Sequence, residues 1–353
     1  MPKPRLKTGF HPARRVTLKD VAAACGVSHV AVSLALRGSS EIPPATRQRI
    51  LAAAEQLNYV PSESARRLKG GGSGRIAYVA SRLAHGFVGQ VLVGMEERAF
   101  ETHKYFNAIH PYSTWFHSAE REAILKQILY GGSADAVVLL STKPDAATIA
   151  EFQRHGIPLV LVEDKAKGCH SVRVDNVLGA QLAAQRLISL GCRRIGLVAG
   201  VLGGEGMDLN PTAVERRHGF AKALKAAGVR AEGLPRFDIH TYERPEGREA
   251  LDALLKAAPD LDGIFCAAGD KVALGILERA RELRLRLPKD LKLIGYDDIE
   301  LASLVQPALS TVRQPIQALG AQAFDLAVAA AEGRLAEDTH LLFKPSLVLR
   351  ETA

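Results

Sequence analysis

Short apolar runs alternate with amphipathic segments along most of this chain, and this alternation constrains the fold more than any other feature. The apolar runs fall at residues 76–80, 136–140, 159–162, 195–199, 263–267 and 291–295. Segments with helical periodicity lie at residues 88–102, 120–130, 179–190, 214–227 and 271–283. Such alternation is typical of parallel sheets covered by helices. The chain has about ten such strand and helix segments, which is more than a single sheet usually accommodates. We therefore predict two parallel-sheet α/β subdomains.

The chain before residue 76 has a different texture and ends in a glycine-rich stretch, Gly70-Gly-Gly-Ser-Gly74. A stretch of this composition is a flexible linker and marks a domain boundary. We therefore predict a disordered basic arm at residues 1–15, an all-α head at residues 16–60, a linker region at residues 61–75 and the α/β body at residues 76–353.

The head has the spacing of a helix-turn-helix. Thr17 can cap a first helix, with Asp20 three residues on as its capping-box partner. Gly26 suits the left-handed position that ends a helix, and Ser28 can cap a second helix almost at once. Two short helices separated by so tight a turn predict a helix-turn-helix. A third helix over residues 43–57 can cover the first two.

The positive charge of the chain is concentrated in the same region. Residues 1–75 hold 13 Lys and Arg against 4 Asp and Glu, a net charge of +9, whereas the whole chain carries +8. A basic module joined to a near-neutral body favours a nucleic-acid partner, although a solvated basic tail has the same composition. Together with the helix-turn-helix, this charge predicts a domain that binds double-stranded DNA.

In a helix-turn-helix, the N-terminal part of the second helix enters the major groove. The residues expected to face the bases are Ser28, His29, Val30, Ala31, Ser33 and Leu34. Of these, His29 and Ser33 can hydrogen-bond to bases or phosphates, and the apolar residues can contact a thymine methyl group. Three arginines are expected to neutralise phosphates, which fixes register without reading sequence, and these are Arg37, Arg47 and Arg49.

The head resembles the opening of LacI-family transcriptional regulators in two stretches. They are Val16-Thr-Leu-Lys-Asp-Val-Ala-Ala-Ala-Cys-Gly-Val-Ser28 and Thr46-Arg-Gln-Arg-Ile-Leu-Ala-Ala-Ala-Glu-Gln-Leu-Asn-Tyr-Val-Pro61. Later stretches keep the family's order, since Ala267-Ala-Gly-Asp-Lys-Val-Ala-Leu-Gly275 and Ile294-Gly-Tyr-Asp-Asp298 resemble its ANDxxALG and VGYDD segments. The resemblance covers essentially the whole chain. It implies a regulator, most simply a repressor, with a periplasmic-binding-protein-like body.

The resemblance also implies a hinge helix, which matches Ala65-Arg66-x-Leu68. In the family this segment folds when two protomers meet on DNA, and a leucine that matches Leu68 wedges into the minor groove. Thr17 completes the implied DNA contacts. The reading helix departs from the family's Ser-x-x-Thr-Val-Ser-Arg-x-Leu-Asn pattern at Ala31, Leu34 and Arg37. We therefore do not expect this chain to recognise the family's usual operator sequence.

The resemblance implies a small effector, a sugar, in the cleft between the subdomains, and open α/β sheets bind ligands at the carboxyl ends of their strands. Arg216 matches a donor to ligand hydroxyls or carboxylates, and Asp297 an acceptor from sugar hydroxyls. Gly269 stands where many members have Asn, and Glu163 where Asp is frequent. The first subdomain is expected to contribute Ser81, Phe87 and Trp115.

Each of these assignments has a plainer alternative. Arg216 can form a surface ion pair, and Trp115 can belong to the core or to an interface. Asp270 and Asp298 are interpreted as helix caps rather than ligand contacts. The resemblance places one subdomain at residues 76–170 plus 312–334, and the other at residues 171–311 plus 335–353.

No GxSxG, HExxH or Walker motif occurs, so we expect no enzyme, and the scattered cysteines and histidines predict no cofactor or metal. The chain carries no secretory signal, which favours the cytoplasm. The partners expected are a pseudo-palindromic operator, a small effector and a second protomer. An effector-independent regulator, and a solute-binding or sugar-modifying protein fused to a DNA-binding head, are the alternatives.

Overall fold

The computed structural model describes residues 16–36, 39–57, 59, 73–81, 83, 86–102, 109–113, 118–140, 143–203, 210–229 and 233–353. These residues fall into two compact units, divided between Ser73 and Gly74. The predictions for the basic arm, for Arg37, for the hinge residues Ala65, Arg66 and Leu68, and for Trp115 lie outside the described residues.

The first unit contains three helices, α1 (Leu18–Cys25), α2 (His29–Leu36) and α3 (Pro44–Gln56). Their shared core is built on Val21, Val32 and Ile50, one from each helix and all fully buried. Gly26 has a φ of 61°, in the left-handed region, where glycine avoids the steric clash that a Cβ would cause. The predicted helix-turn-helix is therefore confirmed, turn included.

The second unit is built on two six-stranded sheets, which divide it into two lobes. The first lobe contains β1 (Ile76–Ala80), α4 (Gly86–Thr102), β2 (Ile109–Ser113), α5 (Ser118–Gly131), β3 (Ala136–Leu140), α6 (Ala146–Arg154), β4 (Leu159–Val162), β5 (His170–Val174), α12 (Ile316–Ala331) and β11 (His340–Phe343). Its strands are all parallel, in the order β11-β5-β4-β3-β1-β2.

The second lobe contains α7 (Asn176–Ser189), β6 (Ile195–Gly200), α8 (Pro211–Ala226), β7 (Arg236–Ile239), α9 (Arg244–Ala257), β8 (Gly263–Cys266), α10 (Asp270–Glu282), β9 (Lys292–Asp297), α11 (Leu301–Leu304), β10 (Ser310–Arg313) and β12 (Ser346–Val348). The strand order is β12-β10-β9-β8-β6-β7, and only the β10–β12 pair is antiparallel among the described strands. Helices cover both faces of each sheet, so each lobe has two apolar layers.

The chain crosses between the lobes three times, and two of the crossings differ from the prediction. The first follows Val174 rather than residue 170, because β5 pairs with β4 in the first sheet. The last follows Phe343 rather than residue 334, because β11 pairs with β5. The middle crossing, between Arg313 and Ile316, lies within a few residues of its predicted place. Polar residues in β5, and the short length of β11, weaken the apolar pattern that sequence analysis uses.

Candidate DNA-reading helix and effector site

Helix α2 presents its first turn outward. Ser28 caps the helix, because its Oγ accepts a hydrogen bond from the Ala31 amide at 3.1 Å. His29 is exposed, and Val30 keeps 54% of its surface accessible. Thr17 caps α1, where both its amide and its hydroxyl donate to Asp20 at 2.7 Å. The exposure of His29 and Val30 is compatible with the predicted DNA-facing surface, to which Thr17 and Ser28 are also assigned.

Two residues of the predicted DNA surface lie elsewhere. Ser33 is buried, on the same side of α2 as Val32 and Ala35, so its hydroxyl does not lie on the outer face expected for it. The Arg47 guanidinium donates to the Ser39 carbonyl and so holds the connection into α3. Leu34 is half-buried against the core of the head and keeps part of its surface for a partner.

In the body, two of the side chains expected to bind an effector stand at the carboxyl ends of strands, one in each lobe. Glu163 follows β4 in the first lobe, and Asp297 ends β9 in the second. Both have positive φ angles, 65° and 111°, which L-residues rarely adopt. Strained backbone of this kind is common at functional sites.

Arg216 is buried in α8, so the alternative of a surface ion pair is wrong. Its Nε donates to Asn176 Oδ1 at 2.8 Å, and its Nη1 donates to the Ala267 carbonyl at 2.8 Å. The guanidinium carbon lies 3.7 Å from the centre of the Tyr296 ring. These contacts fix the plane of the guanidinium, as recognition of hydroxyl or carboxylate oxygens requires.

Asn176, the first residue of α7, was missed by sequence analysis. It is 1% exposed, and its Nδ2 donates to Glu163 Oε2 at 2.9 Å. The same Nδ2 lies 3.3 Å from Glu215 Oε2, and the Glu215 carboxylate forms an ion pair with Arg173. The buried polar cluster formed by Glu163, Asn176, Arg216 and Tyr296 therefore spans both lobes.

The Glu163 carboxylate is fully engaged within this cluster. Its Oε1 accepts from the Val174 amide at 2.8 Å, and its Oε2 accepts from Asn176. Burial raises the pKa of Glu163, while the Asn176 hydrogen bond and the positive charge of Arg216 oppose that rise. A residue with both oxygens already occupied is better suited to hold other groups in place than to contact an effector directly.

Asp297 is the half-buried acceptor of the site. Burial raises the pKa of Asp297 to about 6, although Arg216 and a hydrogen bond from Gln314 both lower it. The Gln314 Nε2 donates to Asp297 Oδ1 at 2.6 Å. Gly269 lies beside this carboxylate with a φ of 111°, and a Cβ there would meet Asp297 Oδ2 at 2.7 Å. Gly269 thus contributes backbone only, which explains why no side chain stands at this position.

The interpretation of two further aspartates as helix caps is wrong. Asp270 belongs to α10 and is fully buried, and it accepts from Thr311 Oγ1 at 2.6 Å and from the Ile299 amide at 3.0 Å. Burial and the negative charge of Asp297 raise the pKa of Asp270 well above its usual range. Asp298 instead binds the guanidinium groups of Arg313 and Arg350, each at 2.6 Å. Both aspartates tie together loops of the second lobe.

Comparisons with known proteins agree with this architecture. Residues 17–62 match the bacterial regulatory proteins of the lacI family, and residues 184–353 match a periplasmic binding protein-like domain. The HTH-type transcriptional regulator CelR of Thermobifida fusca is 32% identical over 356 residues, which cover 96% of this chain and 98% of that protein. The chain belongs to the LacI family of transcriptional regulators. The HTH-type transcriptional repressor CytR of Escherichia coli (strain K12) is 30% identical, over 95% of each chain.

Solved structures extend the comparison to the fold of this LacI-family regulator. The complex of the regulator CelR with cellobiose shares 30% identity and a TM-score of 0.69, over 96% of this chain and all of that one. The lac repressor dimer bound to operator and the anti-inducer ONPF has a TM-score of 0.80 at 24% identity, over 96% and 99% of the two chains. Because these relatives are regulators, the enzyme and solute-binding alternatives are set aside.

The remaining effector candidates of this regulator lie in the first lobe. Ser81 directly follows β1 and is buried, and its carbonyl accepts from the Ser113 hydroxyl at 3.1 Å. Phe87 lies in the first turn of α4 and packs against the core of the lobe. A pocket of about 820 Å³ lies between α6 and the loop before β5, and it shares no residue with the buried polar cluster.

Among the described helices, none alone is long and apolar enough to cross a membrane.

Proposed function

We propose that this regulator is a homodimeric repressor whose operator affinity is controlled by a sugar bound between the lobes of its body. The observation that carries the proposal is the convergence of Arg216 and Asp297, a fixed donor and a half-buried acceptor, at the carboxyl ends of the second sheet. A donor and an acceptor placed close together suit a ligand with many hydroxyls. The family relative that holds cellobiose supports the same class of ligand.

The experiment is a titration of operator affinity with candidate sugars. Operators are first selected from genomic DNA with the purified full chain, and cellobiose and ribose are then the first effectors to add, because solved relatives hold them. We expect one sugar to change operator affinity at least tenfold. Asp297→Ala is expected to abolish that change while it leaves the affinity of the sugar-free protein within twofold. A sugar response that survives in Asp297→Ala contradicts the site.

The matched control is Asp260→Ala, which removes an exposed carboxylate paired with Arg194 at 3.0 Å in the same lobe. Its sugar response is expected to equal that of the wild-type protein. If neither sugar, nor any other in a broad panel, alters operator affinity, the regulator is independent of sugar effectors, which is the alternative function within this family.

DNA recognition is assigned to His29, Val30, Ala31 and Leu34 at bases and to the hinge residue Leu68 in the minor groove. Leu68→Ala is expected to weaken specific binding far more than nonspecific binding, because the Leu68 side chain can insert into the minor groove only where the operator is kinked. Equal losses on both kinds of DNA exclude the wedge. Binding is also expected to weaken steeply with salt, as phosphate neutralisation requires.

The homodimer is assigned to exposed leucines on the second lobe. Leu301 and Leu304 on α11 keep 52% and 67% of their surfaces accessible. The Arg281 guanidinium donates to the Gln306 carbonyl at 2.6 Å, which ties the end of α10 to the segment after α11, and Leu283 just after α10 is exposed as well. Exposed leucines on linked elements support a protein–protein contact. A two-fold dimer would match two half-sites of a pseudo-palindromic operator, and as a DNA-bound regulator we place it in the cytoplasm.

Sedimentation of two variants tests the dimer. Leu304→Glu is expected to dissociate it at micromolar concentration, because the charge would be buried in an apolar contact. Leu342→Glu changes a side chain of similar exposure on β11 and is expected to leave the dimer intact. A Leu304→Glu protein that sediments as the wild-type dimer removes α11 from the interface.

A further inference from the structure

Asn176 occupies the place where the chain first passes from one lobe to the other. Strand β5 of the first lobe ends at Val174, and α7 of the second lobe begins at Asn176. Asp175 caps α7 by accepting from the Leu178 amide at 2.9 Å, which leaves the Asn176 side chain free of any capping role. The carboxamide is almost fully buried, so its hydrogen bonds are made with protein groups.

This carboxamide bridges the lobes. Its Nδ2 donates to Glu163 Oε2 in the first lobe at 2.9 Å. The same Nδ2 also lies 3.3 Å from Glu215 Oε2 of the second lobe and 3.3 Å from the Val174 carbonyl. Its Oδ1 accepts from Arg216 Nε at 2.8 Å and from the Tyr296 hydroxyl at 3.2 Å, both in the second lobe. The amide cannot turn over, because its donor end would then face the donors of Arg216 and its acceptor end the Glu163 carboxylate.

We propose that Asn176 is a positioning residue that couples Arg216 to Glu163, so that a change at the effector-binding arginine is transmitted to the first lobe. The proposal rests on the proposed function in one respect, namely that Arg216 contacts the effector. Any displacement of the guanidinium when an effector binds shifts its bond to Asn176, and the fixed polarity of the carboxamide passes that shift to Glu163. Glu163 passes it on to β5, because its other oxygen holds the Val174 amide.

The polarity of the Glu163–Asn176 bond can be reversed, which gives a direct test. N176D keeps the acceptor for Arg216 and Tyr296 but sets a carboxylate oxygen against Glu163. E163Q interrupts the same connection from the other side, since in either orientation of its amide it loses the hydrogen bond from Val174 or the one from Asn176. In the double variant E163Q/N176D, the introduced glutamine amide can donate to the introduced carboxylate, and the total charge equals that of the reference protein. The reference and all variants also carry E215Q, because Glu215 Oε2 lies 3.3 Å from Asn176 Nδ2 and would otherwise repel the introduced carboxylate.

The first readout needs no effector. Spin labels on cysteines introduced at Lys126 in α5 and Lys222 in α8 report the distance between the lobes, and the native cysteines that the structure describes are all buried. Labelled chains are diluted into unlabelled ones, so that pairs within one chain dominate. We expect each single variant to broaden or shift the distance distribution, and the double variant to restore it. The second readout is the sugar-dependent change in operator affinity, expected to fall at least tenfold in each single variant and to recover within threefold in the double variant.

The outcomes separate this proposal from the proposed function. If no sugar alters operator affinity in the wild-type protein, the sugar site fails, while the distance measurement still decides the coupling. Single variants with the distances and responses of the reference protein overturn the coupling, as does a folded double variant that behaves like the singles. If N176D does not fold, E163Q and the double variant give the same comparison. D260N, in an exposed ion pair with Arg194, is the control expected to change neither readout.

Discussion

The guanidinium carbon of Arg216 lies 3.7 Å from the centre of the Tyr296 ring, and the Tyr296 hydroxyl lies 3.2 Å from the same Asn176 oxygen that Arg216 binds. One buried side chain thus supports the arginine through its ring face and supports the asparagine through its hydroxyl. The ring contributes a cation–π contact, which is worth about 0.5–2 kcal/mol. The two contributions can be separated by substitution.

Tyr296→Phe is expected to lower the free energy of unfolding by about 1 kcal/mol, because it removes one buried hydrogen bond and keeps the ring. Tyr296→Leu removes the ring as well, and we expect a loss of about 2–4 kcal/mol from the cavity and the lost cation–π contact. Urea unfolding measures both. If Tyr296→Phe proves as damaging as Tyr296→Leu, the hydroxyl rather than the ring holds the arginine in place.

Helices α4 and α12 of the first lobe approach closely at two glycines. A Cβ at Gly94 would overlap the Gln317 carbonyl, and a Cβ at Gly320 would overlap the Val91 carbonyl. Because backbone atoms cannot move aside as a flexible side chain can, Gly94→Ala is expected to cost about 1–3 kcal/mol of stability. Thermal and urea unfolding measure this loss.

The matched control is Gly131→Ala, at the end of α5, where a new methyl group meets open space. There the better helix propensity of alanine is expected to leave stability unchanged or to raise it by up to about 1 kcal/mol. Equal effects of the two substitutions would mean that α4 and α12 can move apart freely.

The central strands were predictable from sequence because burial on both faces makes them continuous apolar runs. Strands β1, β3 and β4 begin and end at the predicted residues. Strands β2, β7, β11 and β12 lie at sheet edges and carry no such signal, because β2 and β7 mix polar with apolar residues and β11 and β12 are only four and three residues long. Strand β5 lies inside its sheet but has polar residues at three of its five positions, so the crossings beside β5 and β11 were both misplaced.

The candidate site shows the same limit for side chains. Arg216 and Asp297 were predicted because family motifs mark them, whereas Asn176 follows a strand, β5, that the sequence pattern did not reveal. Its partners lie 13 residues before it in the chain and 40 residues after it. Asp270 was interpreted as a cap because an aspartate that opens a helix looks the same in sequence whether it caps the helix or accepts from Thr311.

The exposed Val30 on α2 is expected to contribute sequence discrimination rather than bulk affinity. A valine at the protein surface can pack against a thymine methyl group, and this contact exists only at certain bases. Val30→Ala is expected to weaken binding to the selected operator about tenfold and to leave nonspecific binding and its salt dependence unchanged. Fluorescence anisotropy on both DNAs measures this, with Ala45→Ser on the exposed start of α3 as a control. An equal loss on both DNAs would place Val30 in the fold of the head rather than at the bases.

The raised pKa of Asp297 makes this carboxylate costly to the folded protein at neutral pH. Since the folded pKa of about 6 lies above the unfolded value, the folded state binds the extra proton between them, and stability falls as pH rises through that window. Asp297→Asn is therefore expected to raise the free energy of unfolding by about 1–3 kcal/mol at pH 7.5, and the gain should vanish as pH falls toward about 4.

The same substitution is expected to weaken sugar binding at pH 7.5, because an amide accepts hydroxyl hydrogen bonds less strongly than a carboxylate does. Wild-type sugar affinity should likewise fall as pH drops below about 6, where Asp297 becomes protonated, whereas the variant should show no such dependence. Urea unfolding and calorimetric titration at pH 5 and pH 7.5 measure the two effects, with Asp260→Asn as the control. The pKa of Asp260 is lowered by its bond to Arg194, so this control is expected to give no stabilisation at either pH. An Asp297→Asn protein less stable than the wild type at pH 7.5 would mean that Gln314 and Arg216 stabilise the ionised carboxylate. Ionised Asp297 would then not destabilise the folded protein.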